Sequence, residues 1–273
     1  MRTWLIAIGL MVIAGCSSTT ADQSAVPAGT AEELAEPSTA TTSTTAASTT
    51  AAAPTTSDQV ESLDLDVGLI GHFPLDGDST DALGVTPSSI EGATGTADRN
   101  GIEGAALRFD GLDDVVEFEP ADALNVERDF SISIWVEAGD LDNDWYSLFE
   151  KSDPERGGHS RYGLWLFANT LAVCFEQVDN LAQPCLQSGP LDLTGWRHMA
   201  AVRSNDEMTL FLDGEEVARQ EVTTSPVSQT NFSAYIGNDQ YQPGAPWLDA
   251  SVDELRIYDR ALSRVEVAEL ATA

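Results

Sequence analysis

Two cysteines flank a turn-forming pair of residues. Cys174 and Cys185 are arranged symmetrically about Asp179 and Asn180, with apolar segments on both sides. If Asp179 and Asn180 mark the centre of a hairpin, the cysteines face each other across adjacent strands, where a disulfide is sterically feasible. Two free buried thiols are the alternative. An even pair of cysteines therefore indicates a disulfide formed in an oxidising compartment.

The sequence lacks two common hydrolase motifs. It has no Gly-x-Ser-x-Gly nucleophile turn and no His-Glu-x-x-His zinc motif. The three histidines, His72, His159 and His198, do not have metal-ligand spacing. His198 lies near Trp196 at the start of an apolar run, which indicates a hydrogen-bonded structural residue. These observations favour binding over catalysis.

The N-terminus has the features of a secretory signal. Arg2 precedes an apolar segment from Trp4 to Val12, which is shorter than the ~20 residues that a membrane span needs. The run Ile13-Ala-Gly-Cys16 resembles the lipobox of bacterial lipoproteins, although a plain signal peptide is the alternative. The resemblance implies that residues 1–15 are removed and that a lipid is attached to Cys16. The protein would then be extracytoplasmic and anchored to the cell membrane or envelope.

Residues 16–64 form a low-complexity segment after the signal. They are mostly Ser, Thr, Ala and Pro, as in the stretch Ala40–Thr56. Almost no large apolar side chain is available there to offset the entropy lost on ordering. We predict a disordered stalk, open to O-glycosylation, that links the anchor to a single domain at residues 65–273.

The charge of the chain restricts its partners. It has 45 acidic and 13 basic residues, which gives a formal net charge of −32. Such a charge argues against nucleic acid or an anionic membrane surface as a partner. We therefore expect contact with the membrane only through the lipid. The charge is also compatible with high solubility, a saline habitat or bound cations.

Short apolar runs separated by Gly, Asp and Asn predict strands in residues 65–273. Phe130–Val136 alternates between apolar and other residues, and Met208–Leu212 leads into the turn Asp213-Gly214. Ten or more such strands with little helical periodicity predict an all-β sandwich. The C-terminal segment is the exception to this β pattern. Ser263 and Glu266 form a capping box there, which predicts a short helix.

Six motifs in this region follow one another in a characteristic order: Leu69–Gly77, Gly104–Asp114, Phe130–Trp135, Trp196–Ala200, Leu210–Gly214 and Val252–Ser263. Together they resemble the laminin-G-like domains of the concanavalin A-like lectin/glucanase superfamily. The resemblance implies a jelly-roll sandwich of two antiparallel sheets. It does not imply one function, since a fold supports many.

Related glucanases on this fold use a Glu-x-Asp-x-x-Glu strand. The nearest counterpart starts at Glu176, but Val178 and Leu181 stand where Asp and the second Glu are required. Retaining hydrolysis needs two carboxylates about 5 Å apart. The departure from the motif therefore favours a binding module that is not an enzyme.

Relatives on this fold often hold a calcium ion between the first and last strands. Asp253 resembles the ligand of the final strand, and Asp76 and Asp81 in an early loop are candidate partners. Carboxylate oxygens suit this hard cation. The resemblance therefore implies a structural Ca²⁺ site, with turn formation and surface charge as the alternative roles of these residues.

Two loop regions combine aromatic and polar side chains, as a sugar site requires. One contains Trp145 and Tyr146, and the other contains Asn238 and Tyr241. We expect a surface-tethered binding module for a glycan or an extracellular protein. A divergent glycoside hydrolase and a structural envelope protein without a small ligand are the alternatives.

Cys16→Ser should abolish membrane anchoring, because the hydroxyl cannot replace the thiol that accepts the lipid. Incorporation of labelled fatty acid and partitioning into detergent test this expectation, with Ser18→Ala as the control. A Cys16→Ser protein that still takes up the label would contradict the lipoprotein hypothesis.

Overall fold

The structure is a computed structural model that describes residues 63–120, 122–142, 144–153, 159–179, 181–223, 225–238 and 244–273, with the side chains of His159 and Ser160 left out. The predicted signal, Cys16 and nearly all of the predicted stalk lie outside the described residues. Within these ranges, no helix has the length and hydropathy that a membrane-spanning helix requires.

The described chain folds into strands and one short α-helix, α1 (Arg264–Leu270), with a single 3-10 turn at Asp122–Leu124. The strands in chain order are β1 (Leu69–Phe73), β2 (Ser88–Glu91), β3 (Thr94–Thr96), β4 (Ala106–Asp110), β5 (Val115–Phe118), β6 (Phe130–Ala138), β7 (Trp145–Asp153), β8 (His159–Phe167), β9 (Thr170–Phe175), β10 (Cys185–Gln187), β11 (Arg197–Ser204), β12 (Glu207–Leu212), β13 (Glu215–Glu221), β14 (Ala234–Ile236) and β15 (Asp249–Tyr258).

These strands form two antiparallel sheets. The eight-stranded sheet has the order β13-β12-β11-β6-β15-β4-β3, and β1 also pairs with β15. The seven-stranded sheet has the order β10-β9-β8-β7-β14-β5-β2. The predicted jelly-roll sandwich of two antiparallel sheets with a short C-terminal helix is confirmed.

The core lies between the two sheets and follows from alternation along each strand. Phe130, Ile132, Ile134 and Val136 are fully buried in it. Successive side chains of a strand point to opposite faces, so the residues between them in β6 lie on the outer face of the eight-stranded sheet. The predicted two-residue pattern therefore defines which face of β6 enters the core.

The sandwich has two ends, which we name from the long strands β6 and β15. Tyr258 pairs with Ser131 at one end, where Leu69 also pairs with Tyr258. Ala250 pairs with Ala138 at the other end. Because the described chain enters beside Leu69, we call the Tyr258 end the proximal end and the Ala138 end the distal end.

A disulfide joins Cys174 of β9 to Cys185 of β10, as the sequence predicts. The two residues are direct partners in the antiparallel register, and their Cα atoms are 4.2 Å apart. Strand β10 has three residues at the edge of its sheet. The crosslink therefore fastens a short edge strand that has few backbone hydrogen bonds of its own.

Helix α1 covers part of the outer face of the eight-stranded sheet. Val267 and Leu270 pack into a small second core with residues of β11, β12 and β15. Gly214 permits this contact, because a Cβ at that position would lie 3.0 Å from the Cα of Ala268. Gly214 also has a φ of 81°, which glycine adopts without strain.

The predicted capping box fixes the start of α1. The Ser263 hydroxyl accepts from the amide of Glu266 at 3.3 Å, and the Ser263 amide donates to the Glu266 carboxylate at 2.7 Å. Arg260 donates to the same carboxylate at 2.6 Å. The hydrogen bond from Arg260 lowers the pKa of Glu266 to about 2.

Glu266→Gln should destabilise the fold at neutral pH by about 1 kcal/mol, because the charged partner of Arg260 is lost. The folded-state pKa lies below the ordinary value, so the contribution of Glu266 is present above about pH 4.5. It should disappear as the pH falls towards about 2. Denaturant unfolding across this range measures the difference between variant and wild type.

Glu269→Gln, in the same helix and exposed, is the matched control and should leave the pH profile of stability unchanged. A Glu266→Gln defect of equal size at all pH values would show that the carboxylate charge is not the stabilising group.

Candidate functional site

A groove of about 520 Å³ opens at the distal end. Both sheets contribute to its walls. The end of β6 and the segment before β11 belong to the eight-stranded sheet, and the turn between β8 and β9 belongs to the seven-stranded sheet. The lining residues are Ala138, Gly139, Leu141, Ala168, Asn169 and residues 191–194. A volume of this size falls within the range of small-ligand sites.

Backbone hydrogen bonds hold the groove walls in place. The amide of Leu191 donates to the carbonyl of Asn169 at 2.8 Å, which joins two of the three walls. The amide of Gly139 donates to the carbonyl of Asp249 at 2.9 Å, which fastens the third wall to β15. The groove is therefore part of the hydrogen-bonded frame of the distal end.

Trp145 is an exposed aromatic residue at the same end. It pairs across strands with Phe167, which directly precedes the groove residue Ala168. The two rings lie 5.1 Å apart between centroids, and Trp145 is 42% exposed. The two ring planes are inclined by 46°, so Phe167 supports the Trp145 ring from the side. The exposed part of the Trp145 ring is an apolar surface of the kind on which a sugar ring stacks.

Tyr146, the other aromatic residue predicted in this loop, faces the core. It is buried, and its hydroxyl donates to Asp142 at 2.7 Å. Burial raises the pKa of Tyr146, and the hydrogen bond to Asp142 contributes to the same shift. Tyr146 therefore anchors the loop between β6 and β7 and does not present its ring to a ligand.

A second tryptophan shares the outer face of the seven-stranded sheet but is inaccessible. Trp165 is 7% exposed and donates from Nε1 to Glu150 at 2.9 Å. A Cβ on Gly163 would lie 2.7 Å from the Trp165 ring, so glycine makes room for it. Trp165 therefore belongs to the packed surface of the sheet, whereas Trp145 remains available.

The polar side of the groove is formed by Asp192 and Thr194. The Thr194 amide donates to Asp192 at 3.1 Å, and hydrogen bonds from Thr194 lower the pKa of Asp192. The Asp192 side chain is 73% exposed and lies 3.3 Å from Arg197. Asp192 is thus an ionised acceptor at the groove, suited to sugar hydroxyl groups.

The second predicted sugar loop does not offer the same surface. Asn238 is buried and donates to the carbonyls of Ala245 and Pro246 at 3.0 and 3.1 Å. These bonds make it a support for the loop before β15. Tyr241 lies outside the described residues, so its participation stays a prediction.

The predicted metal ligand Asp253 contacts an arginine. Its buried carboxylate forms an ion pair with Arg99, whose guanidinium lies 4.9 Å from the Trp135 ring centroid. Burial raises the pKa of Asp253 to about 7, although Arg99 opposes this shift. Calcium at this carboxylate would have to compete with Arg99.

Asp76, Asp81 and Asp253 do not form a group of three ligands among the described residues. Asp81 accepts hydrogen bonds from four backbone amides and so holds its own loop together. Asp76 is exposed. Within the described part of the chain, the group of three or more potential ligands whose atoms all lie within 4.8 Å of one another is Asp110, Asp113 and Asp114. The three predicted ligands do not fit one shared ion, and calcium binding stays a prediction.

A second cleft, of about 630 Å³, lies at the proximal end. Its lining side chains are all polar: Asp122, Asn125, Glu127, Gln229, Thr230, Asn231 and Asp259. It lacks an aromatic surface among these residues. The distal groove is the stronger candidate because it combines apolar walls, an ionised acceptor and an adjacent exposed ring pair.

Sequence reasoning identified Trp145 but missed Phe167, Asn169 and Asp192. Phe167 ends an apolar run, and Asn169 stands at a short turn. The apolar run and the turn each predict secondary structure, and neither indicates a ligand-binding site. Asp192 belongs to a Gly-Pro-Asp-rich segment whose position beside β6 is not evident from its residues.

If calcium binds at Asp253, removal of Arg99 should increase the effect of calcium on the melting temperature. Arg99→Gln leaves the buried carboxylate without its cation, so calcium should raise the melting temperature of this variant by several degrees. The wild type should respond less, and Asp253→Asn should not respond. Magnesium at equal ionic strength is the control, and equal responses of all three proteins to both ions would indicate screening alone.

The distal end is built on a fold that many solved structures share. The binding domain of Paraclostridial Mosquitocidal Protein 1 superposes with a TM-score of 0.62 at 16% identity, over 76% of this chain and 52% of that one. The binding domain of Botulinum Neurotoxin DC, in complex with SialylT, gives 0.60 at 12% identity over 77% and 52%. The chain therefore spans about half the length of these toxin domains.

A third similar structure is almost fully covered. Domain 4 of AbnA, a GH43 extracellular arabinanase from Geobacillus stearothermophilus, in complex with arabinotriose, gives a TM-score of 0.54 at 20% identity, over 74% of this chain and 98% of that domain. At these identities the likeness shows the fold alone. No curated protein matches the sequence significantly.

The sequence itself matches a family profile over residues 110–268, more than half of the chain. This region contains the three walls of the distal groove, the Trp145–Phe167 pair and eleven complete strands, from β5 to β15. The chain belongs to the concanavalin A-like lectin/glucanases superfamily.

Proposed function

We propose that this protein is a surface-tethered binding module that takes a carbohydrate at the distal groove and is not an enzyme. The observation on which the proposal rests is the exposed Trp145, packed against Phe167, which directly precedes the groove residue Ala168. The same groove holds the ionised acceptor Asp192. A sugar presents an apolar ring face and a rim of hydroxyl groups. The groove offers a partner for each.

The position of the groove suits display on a cell surface. The described chain enters the domain at the proximal end, and the groove lies at the distal end. A lipid on Cys16 and a stalk over residues 16–64, both expected from the sequence, would attach the protein through its proximal end. The ligand site would then face away from the anchor.

The similar structures support a binding role. One is an arabinanase domain in complex with arabinotriose, and another is a toxin binding domain in complex with SialylT. A further one is a toxin binding domain in complex with rat synaptotagmin II. An extracellular protein is therefore the second possible partner, but the groove and its exposed aromatic ring favour a glycan.

The charges around the groove favour binding over hydrolysis. A glycosidase needs a carboxyl group with a raised pKa to donate a proton. Hydrogen bonds from Thr194 lower the pKa of Asp192. The described acids whose pKa is raised, Asp114 and Asp253, are not among the groove-lining residues.

Trp145→Ala should weaken carbohydrate binding by up to about tenfold, the equivalent of one good stacking contact. The purified full-length protein is applied to a glycan array that includes arabinotriose, and affinities for the sugars retained are measured by calorimetry. Trp145 is largely at the surface, so the variant should keep the wild-type melting temperature within a few degrees.

Val265→Ala removes another exposed apolar side chain, on α1 and outside the groove, and should not alter binding. A wild type that retains no glycan, or a Trp145→Ala variant that binds as well as the Val265→Ala control, would contradict the proposed site. Retention of a protein partner in place of a glycan would favour the second possibility.

A further inference from the structure

Several carboxylates belong to the chain segments that form the distal groove. The loop after β6 contributes the exposed Asp140, Asp142 and Asp144. Asp192 lies in the groove wall. A Cβ on the groove residue Gly139 would meet the Asp249 carboxylate at 2.5 Å, so this acid lies directly against a groove wall.

The guanidinium groups at this end are already paired. Arg197 donates to Asp213 at 2.7 Å and lies 3.3 Å from Asp192. Arg108 forms an ion pair with Asp249. An anionic ligand would therefore have to displace an aspartate before it could use either arginine.

This arrangement has consequences for the sugars that can bind. Recognition of a carboxylate depends on charge-assisted hydrogen bonds from arginine or lysine. A uronic or sialic acid would meet Asp192 and its neighbours without such a donor, and like-charge repulsion is costly at an interface. A hydroxyl group can donate to these carboxylates, and an ammonium group gains Coulomb attraction as well.

We infer that the distal groove selects glycans by charge, so that it binds neutral and amino sugars and rejects acidic ones. The inference rests on the proposed carbohydrate site and adds its ligand class. Asp192, through its pairing with Arg197, is the residue that sets this selectivity. Asp213 contributes to the same effect, because it forms an ion pair with the guanidinium of Arg197 as well.

Four tetramers test the selectivity in calorimetric titrations with the full-length protein. Galactose and galacturonic acid tetramers differ only at C6, and N-acetylglucosamine and glucosamine tetramers differ in charge at the amino group. The wild type should bind the galactose tetramer at least about tenfold more tightly than the galacturonic acid tetramer. It should bind glucosamine more tightly than N-acetylglucosamine, and added salt should shrink both differences.

The variant Asp192→Asn/Asp213→Asn should reverse the rejection of acids. It releases Arg197 from both partners while it keeps side chains of the same size. Asparagine tolerates the left-handed backbone at position 213, where φ is 50°. The amide oxygen can still accept the hydrogen bond from the His198 amide. Binding of the galacturonic acid tetramer should strengthen by about tenfold.

Glu221→Gln/Glu269→Gln is the matched control, since it removes the same charge at two exposed positions away from the groove. It should leave the preference between the tetramers unchanged. An equal gain in acid binding by both double variants would assign the effect to net charge and contradict the role of Arg197.

The outcomes separate the two proposals. Equal binding of galactose and galacturonic acid tetramers, with loss of both in Trp145→Ala, would contradict charge selection and leave the carbohydrate site intact. Failure of all four tetramers to bind the wild type would contradict the inferred ligand class, whereas the carbohydrate site itself would be contradicted only if the glycan array also retained nothing. A preference for neutral sugars that persists undiminished in Asp192→Asn/Asp213→Asn would also overturn the inferred mechanism.

Discussion

The fold depends on the hydrogen bonding of strand β15, which lies inside the eight-stranded sheet and not at its edge. Its residues pair with β6 along most of its length, with β4 at its distal half and with β1 at its proximal half. An interior strand must satisfy its backbone donors and acceptors on both sides. The sheet therefore cannot close until this late segment of the chain inserts between segments that precede it by more than a hundred residues. Such non-local pairing is entropically costly and is typical of slow-folding β-sandwiches.

The same strand connects the two ends of the molecule. Tyr258 lies where the described chain begins, and Asp249 lies beside the groove. One continuous strand thus fixes the separation between the proximal end and the candidate site. The ion pairs on its outer face, such as Asp253 with Arg99, add local order without contributing to the core.

The acidic residues have different surroundings in different parts of the molecule. Over most of the surface the acids face water. At the distal end, Asp192 and Asp213 neutralise Arg197, and Asp249 neutralises Arg108. The result is a groove with many acceptors and few available cationic donors. Net charge follows from the composition alone, whereas the fold decides which of the acids lie near the groove and which arginines they neutralise.

The sequence by itself determined the local features of this protein. The alternation in Phe130–Val136 defined a strand and its buried face, and Ser263 with Glu266 defined the start of the helix. The spacing of Cys174 and Cys185 about a turn predicted their disulfide, because hairpin geometry places residues equidistant from the turn opposite each other. The six ordered motifs that resemble laminin-G-like domains indicated the jelly roll. Short strands such as β2 and β3 escaped detection, since a few residues do not establish a period.

Only the tertiary structure decided which residues share a site. Alternation requires Trp145 and Tyr146 to face opposite sides of β7, but the exposed side is set by which face of the sheet packs on the other sheet. The groove joins residues from three segments that are distant in sequence. Asp253 resembles a metal ligand in its motif, yet Arg99 reaches it from a loop 154 residues earlier. Side-chain type and local periodicity can be seen in neighbouring residues of the sequence. Which distant residues come together in one site depends on the register of strands that meet only after folding.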